Sequence, residues 1–161
     1  MTPPPHSGQS DCPPVWRCND PLTGKVPMTA TPARQTYVNL PVADLRRSVD
    51  FFGRLGFGFN PDFTDERAAC MVIGRDSFVM LLERSFFGSF ATTPVADATT
   101  TEVTIGISAA DRDEVDRLVS TALDAGGSAA GDKITDGPLY GWSFKDPDGH
   151  HWELIHMQAV G

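Results

Sequence analysis

Positive charge is scarce in this sequence. Lys and Arg total 13 against 21 Asp and Glu, a net charge of -8, so the molecule as a whole repels phosphate backbones and anionic lipid surfaces. Nucleic acid is not an expected partner. Long apolar runs are also missing. The longest strongly apolar one, Phe78-Val79-Met80-Leu81-Leu82, falls far short of the roughly 20 residues that a membrane-crossing helix needs. No membrane association is expected. Cysteine is sparse, and three residues make no disulfide framework, which points to a reducing cytoplasm. At 161 residues the chain is too short for two independent domains. Its 40% hydrophobic content is nevertheless enough for a real core.

Residues 1–34 differ from the rest. They hold eight prolines (Pro3, Pro4, Pro5, Pro13, Pro14, Pro21, Pro27, Pro32) and one aromatic residue, Trp16, with no apolar periodicity. Proline at this density withholds the amide donors of helices and sheets, and little apolar surface is available to offset ordering entropy. A disordered tail is expected, without the apolar stretch of a secretory signal. His6 carries no argument. Cys12 and Cys18 lack the second Cys/His pair of a metal site. Met28 is an alternative to Met1 as the translation start. Residues 35–161 are expected to form a single domain.

That domain repeats itself. Tyr37 to Val42 alternates, with Val38, Leu40 and Val42 on one face, which reads as a half-buried strand. Asp44 then caps a helix with apolar Leu45, Val49 and Phe52, closed by Gly56. Strands are expected at 57–60, 68–73 and 77–83, with Gly74-Arg75-Asp76 as a turn. The strand-to-helix step returns at Asp111, 67 residues after Asp44. Val103, Ile105 and Ile107 alternate, Asp111 and Glu114 form a capping box, and Val115, Leu118, Val119, Ala122 and Leu123 line a helix. Strands near 128–130, 139–145 and 151–157 follow, the last two joined by Asp146-Pro147-Asp148-Gly149. The expected fold is α+β: two tandem βαβββ modules, at 35–83 and 101–158, with a connector at 84–100, forming a curved mixed sheet around a cleft.

Each module alone is marginal in size. A helix covers one face of each sheet, so the other face is free to line the cleft. Strand alternation assigns Tyr37, Asn39, Leu81, Glu83, Thr104, Gly106, Ser108, His151 and Glu153 to it, a mixed polar and apolar set of the kind that binds small molecules.

The tandem modules, the step Val42-Ala43-Asp44-Leu45 into a helix ending Phe51-Phe52-Gly53-Arg54-Leu55-Gly56-Phe57, and the ending Lys145-Asp146-Pro147-Asp148-Gly149-His150-His151-Trp152-Glu153-Leu154 resemble the vicinal oxygen chelate superfamily. This superfamily includes glyoxalase I, extradiol dioxygenases and bleomycin-resistance proteins. In its metal-dependent members the resemblance implies four ligands, one from the first and one from the last strand of each module. Here those positions fall on Tyr37, Leu81, Thr104 and Glu153, with Glu83 one same-face step beyond Leu81. Even with Glu83 the set has two carboxylates and no imidazole, a poor match for Zn, Ni, Fe or Mn. No metal or other cofactor is therefore expected.

The resemblance thus implies a metal-independent small-molecule-binding protein with Tyr37, Asn39, Glu83, Thr104, His151 and Glu153 as ligand-binding residues. The alternative is a metal-dependent enzyme of the lactoylglutathione lyase or extradiol dioxygenase type, with a divergent divalent-metal site at His151, Glu153 and Glu83. His151 and Glu153 are the candidates for catalysis, since a His-x-Glu pair on one strand face can carry a proton near neutral pH. His151 can equally be a wall residue hydrogen-bonded to Glu153. Tyr37 can bind a ligand or pack on its cross-strand neighbour. Relatives often dimerise, and a homodimer is expected.

Overall fold

The computed structural model describes residues 34–97 and 99–158. The tail up to residue 33, with His6, Cys12, Cys18 and the question of Met28, lies outside them. The first module runs through Thr36–Val42 (β1), Leu45–Arg54 (α1), Gly58–Asn60 (β2), Ala68–Gly74 (β3) and Ser77–Glu83 (β4). After Arg84–Gly88 (α2), the second contains Thr104–Ser108 (β5), Arg112–Asp124 (α3), Ser128–Ala129 (β6), Ile134–Asp136 (β7), Leu139–Lys145 (β8) and His151–Met157 (β9). The sheets have strand orders β1-β4-β3-β2 and β5-β9-β8-β6, and β7 also pairs with β8. Each is mixed, because β1 runs parallel to β4 and β5 to β9 while their other neighbours are antiparallel. The architecture is α+β with two βαβββ-like modules. Two elements depart from expectation. The segment between the strands expected near 128–130 and 139–145 contains β7, and the Phe-rich connector winds into α2, where Arg67 sits 4.3 Å over the Phe86 ring.

Register corrects one face assignment. β1 and β4 pair Val38 with Val79, Leu40 with Leu81 and Val42 with Glu83, and directly opposed residues share a face. Leu81 and Glu83 therefore lie on the helix-covered side with Leu40 and Val42, not beside Tyr37 and Asn39. Leu81 is fully buried. The opposite face of the first sheet carries Tyr37, Asn39 and Pro41 across from Phe78, Met80 and Leu82. Five consecutive apolar residues in β4 show no alternation, so periodicity cannot say which of them faces the helix.

The helix-facing sides of both sheets share one core. Phe51 and Phe52 of α1 reach into the second module, where the Phe52 ring centroid lies 4.9 Å from that of Trp152 and Phe51 6.0 Å from Phe144. Leu40, Val79, Val115, Val119 and Leu154 complete its centre. Asp44 caps α1 by accepting from the Arg47 amide at 3.0 Å, and Asp111 caps α3 through the Glu114 amide at 2.7 Å. Glu114 reaches back to the Ala110 amide, one residue before the cap. Gly127 is needed for close packing, since a Cβ there would sit 2.8 Å from the Lys145 carbonyl oxygen and 2.9 Å from that of Ala122.

The turn between β8 and β9 ties the modules together. Gly149 supplies its left-handed residue at φ 92°, a conformation costly for other residues. Asp146, 4% exposed, accepts the amides of Asp148 and His150 with one carboxylate oxygen and the Trp152 indole N–H with the other. Asp148 turns outward to the first module. Its Oδ1 accepts from the Ala43 amide at 2.8 Å and from Arg47 Nη2 at 2.9 Å, and its Oδ2 accepts from Ser48 Oγ at 3.0 Å. This is why Ser48 is buried in α1. His150 is buried too. Its Nε2 donates to the Pro41 carbonyl at 2.8 Å, and its Nδ1 lies 2.6 Å from Glu102 Oε1.

Two predictions follow from this turn. Asp148→Ala leaves the Ala43 amide and the Arg47 guanidinium without their acceptor, so urea unfolding is expected to show a loss of about 2–4 kcal/mol. A loss below about 0.5 kcal/mol would count against the clasp. Burial pushes the Asp146 carboxyl above its ordinary 3.8, opposed first by the nearby His150 charge and then by the hydrogen bonds from Trp152, His150 and Asp148. A folded value above the unfolded one means that this contribution is complete below pH 3.8 and fades as pH rises through the folded value. The stability advantage of the native chain over Asp146→Asn should therefore narrow from that pH upward. Urea titrations across the acidic range that show it widening would refute the sign.

Candidate functional site

The free face of the second sheet is built by three strands in register. β5 contributes Thr104, Gly106 and Ser108, paired with His151, Glu153 and Ile155 of β9. On the other side of β9, Lys145, Ser143 and Gly141 of β8 pair with the same three residues. Thr104, Gly106, Ser108, His151 and Glu153 thus share a face, as alternation predicts. Lys145 and Ser143 are additions. Their signal was the alternation of Gly141, Ser143 and Lys145 with buried Phe144 and half-buried Trp142, but only the β8–β9 pairing places them beside His151 and Glu153. Trp142 and Phe144 point to the core side, where Lys133 Nζ caps the Trp142 ring at 4.5 Å.

His151 Nε2 is enclosed and has no hydrogen-bond partner. It is not held by Glu153. An unpaired buried polar atom costs about 1–3 kcal/mol, and most such atoms in folded proteins are satisfied. His156, facing the opposite way, has Nδ1 3.3 Å from the Ala109 carbonyl oxygen. With Asp111, Arg112, Asp113 and Gln158 it lines an open cavity of about 530 Å³ at the start of α3, away from the free face.

The corresponding face of the first sheet is more apolar. Tyr37 is 45% exposed, stacks on its pairing partner Phe78 at 5.0 Å and 17°, and donates its hydroxyl to Gln35 Oε1 at 2.9 Å. Its ring packs across the strands. Asn39 is exposed opposite Met80. Cys70, opposite Met80 on β3, is buried, and desolvation raises its thiol pKa, which makes it a poor nucleophile. Glu83 stands at the N-cap position of α2 without a side-chain cap bond.

The metal positions of the fold can now be assigned by pairing. Thr104 is paired with His151, and Glu153 lies one same-face step along β9. In the first module Tyr37 is paired with Phe78, so the matching step falls on Met80, not on Leu81. The set becomes Tyr37, Met80, Thr104 and Glu153. One carboxylate, a thioether, a phenol and an alcohol do not suit Zn, Ni, Fe or Mn. Among the described residues no group of three or more His, Cys, Asp or Glu side chains is disposed to hold an ion.

Comparison with known proteins agrees with this architecture. A family described as bleomycin resistance protein-like N-terminal matches residues 34–74. No curated protein matches the sequence. Among solved structures, hypothetical protein SA1046 from S. aureus is 30% identical with a TM-score of 0.67, over 77% of this chain and 94% of that one. A glyoxalase/bleomycin resistance protein/dioxygenase family enzyme from Burkholderia phytofirmans PsJN is 16% identical, TM-score 0.65, covering 78% and 99%. A bleomycin resistance determinant encoded on transposon Tn5 is 18% identical, TM-score 0.56, covering 79% and 100%. The repeated modules, their strand pairing and these likenesses place the chain in the glyoxalase/bleomycin resistance/dioxygenase superfamily, to which it belongs.

Proposed function

We propose that this protein binds a small molecule without a metal ion, on the free face of the second sheet. The observation that carries this reading is the free face itself, on which strand register brings Glu153 together with Thr104, Ser143 and Lys145. Among the described residues neither Lys145 nor Glu153 forms an ion pair, so both charges on this face are available to a ligand. The residues at the metal positions support the metal-independent form, because only Glu153 offers a suitable donor. The lyase or dioxygenase alternative needs ligands that Tyr37, Met80 and Thr104 do not supply. The net charge of -8 favours a ligand with a positive group, consistent with the likeness to a bleomycin resistance determinant.

In this reading the chain acts as a homodimer in the cytoplasm. β1 and β5 each have a single strand neighbour, and Tyr37 and Val72 expose apolar surface on the first sheet's free face, so a second copy has both an edge and a patch to cover. A buried free Cys70 suits a reducing compartment.

Protein stripped with chelator and reloaded with Zn, Ni, Fe or Mn should retain well under one ion per chain, and a near-stoichiometric ion that raises the unfolding midpoint would overturn the metal-independent reading. A thermal-shift screen of metal-free cationic compounds, bleomycin among them, should find binders. Glu153→Gln should weaken a cationic binder roughly tenfold, about 1.4 kcal/mol. It should move the unfolding midpoint little, since Glu153 forms no ion pair among the described residues.

A further inference from the structure

The sequence places glycine directly after aspartate twice, at Asp136-Gly137 and Asp148-Gly149. With no Cβ on the following residue, the backbone nitrogen can approach the aspartyl carboxyl carbon closely enough to attack it. The fold treats the two pairs differently. At Asp148-Gly149 the carboxylate, 8% exposed, accepts from Ala43, Arg47 and Ser48, and the Gly149 amide donates to the Asp146 carbonyl at 2.9 Å. Both reacting groups are held. Asp136-Gly137 instead lies at the tip of the β7–β8 hairpin, where both residues are exposed. Among the described residues Asp136 forms no ion pair and the Gly137 amide has no backbone acceptor. Gly137 adopts a φ of 56°, with open space where a Cβ would stand. β7 itself is three exposed residues paired with β8, so local opening at this tip costs little.

We propose that Asp136 is a site of spontaneous isomerisation to isoaspartate in the folded chain, and that the clasp around Asp148 protects the second pair from the same reaction. With the Asp136 carboxyl protonated, the Gly137 nitrogen bonds to Cγ and sheds its proton, and one carboxyl oxygen leaves as water, closing a five-membered succinimide. Water then reopens the ring. Where it breaks the bond between that nitrogen and the original backbone carbonyl carbon, the chain runs on through Cβ and Cγ, and the former backbone carbonyl becomes a free carboxylate. One water is released and one is consumed, so the step needs no other reactant. The product carries an extra methylene in its backbone, which spoils the pairing of Asp136 with Leu139 and loosens β7. Lys133, directly before β7, then loses its fixed place over the Trp142 ring and beside Asp116. The modules stay joined, because the Asp148 contacts are untouched.

The test is to hold the purified full chain folded at neutral pH and body temperature for several weeks, beside a synthetic peptide spanning residues 130–143. Peptide mapping with fragmentation that separates the two isomers, and methyl labelling by an isoaspartyl carboxyl methyltransferase, then locate the product. Isoaspartate is expected at residue 136 at roughly tenfold or more the level at residue 148. Asp136→Glu, whose longer side chain does not close the five-membered ring, should abolish the signal and leave the unfolding midpoint unchanged. In the aged fraction, amide exchange of Ile134 and Thr135 should quicken while that of Trp152 stays slow. Conversion of the peptide with none at residue 136 of the folded chain would mean that the hairpin protects the pair, and the proposal fails. Equal conversion at residues 136 and 148 would sink it as well, because the reaction would then run through the unfolded chain.

Discussion

A single carboxylate near the end of the described chain seats the first helix of its beginning. Asp148 takes the Ala43 amide, the Arg47 guanidinium and the Ser48 hydroxyl, three donors separated from it by about a hundred residues of sequence. Neither module buries enough surface to be secure alone, so the fold depends on their union. The polar clasp fixes the geometry of that union, and the aromatic contacts of Phe51 and Phe52 with Phe144 and Trp152 supply its apolar surface burial. Asp146 holds the turn rigid from inside, and His150 adds a second link through Pro41 and Glu102.

The candidate site inherits its order from this arrangement. β9 begins immediately after the clasp, so His151 and Glu153 leave a fixed turn and alternate to the free face while Trp152 and Leu154 go to the core. Adjacent histidines have separate fates for the same reason. His150 is consumed by hydrogen bonds between the modules, whereas His151 Nε2 is left without one. The second sheet thus presents unengaged polar groups, and the first presents Tyr37, Phe78 and Met80. The asymmetry separates two modules whose backbones otherwise repeat.

Much of this was legible in the sequence. The caps Asp44 and Asp111, the alternation of β1, β5 and β9, and the glycine-closed helices are local devices, written in residues a few positions apart. In α1 the periodic Leu45, Val49 and Phe52 gave the helix, but Leu45 and Val49 are only partly buried while Ser48 is fully so. Its hydroxyl meets a carboxylate a hundred residues away. β7 is invisible to periodicity because its three exposed residues, Ile134–Asp136, carry no inside-outside pattern. Alternation alone puts Leu81 and Glu83 on the wrong face, because β4 is apolar on both sides. Lys145 and Ser143 carry no signal of their own, because a charged or small residue on a free strand face looks ordinary until its cross-strand neighbours are known.

The sequence by itself determined the repeated modules, the helix boundaries, the face of β9 that bears His151 and Glu153, and the lack of imidazole at the fold's metal positions. Those properties follow from periods of 2 and 3.6 residues and from side chains that act on their own backbone. Only the tertiary structure decided that Met80 rather than Leu81 matches Glu153, that Asp148 and His150 join the modules, and that His151 is left unpaired. Each of these depends on which strand lies beside which, and in what register. Hydrogen bonds between distant segments set that pairing, and local periodicity carries no record of it.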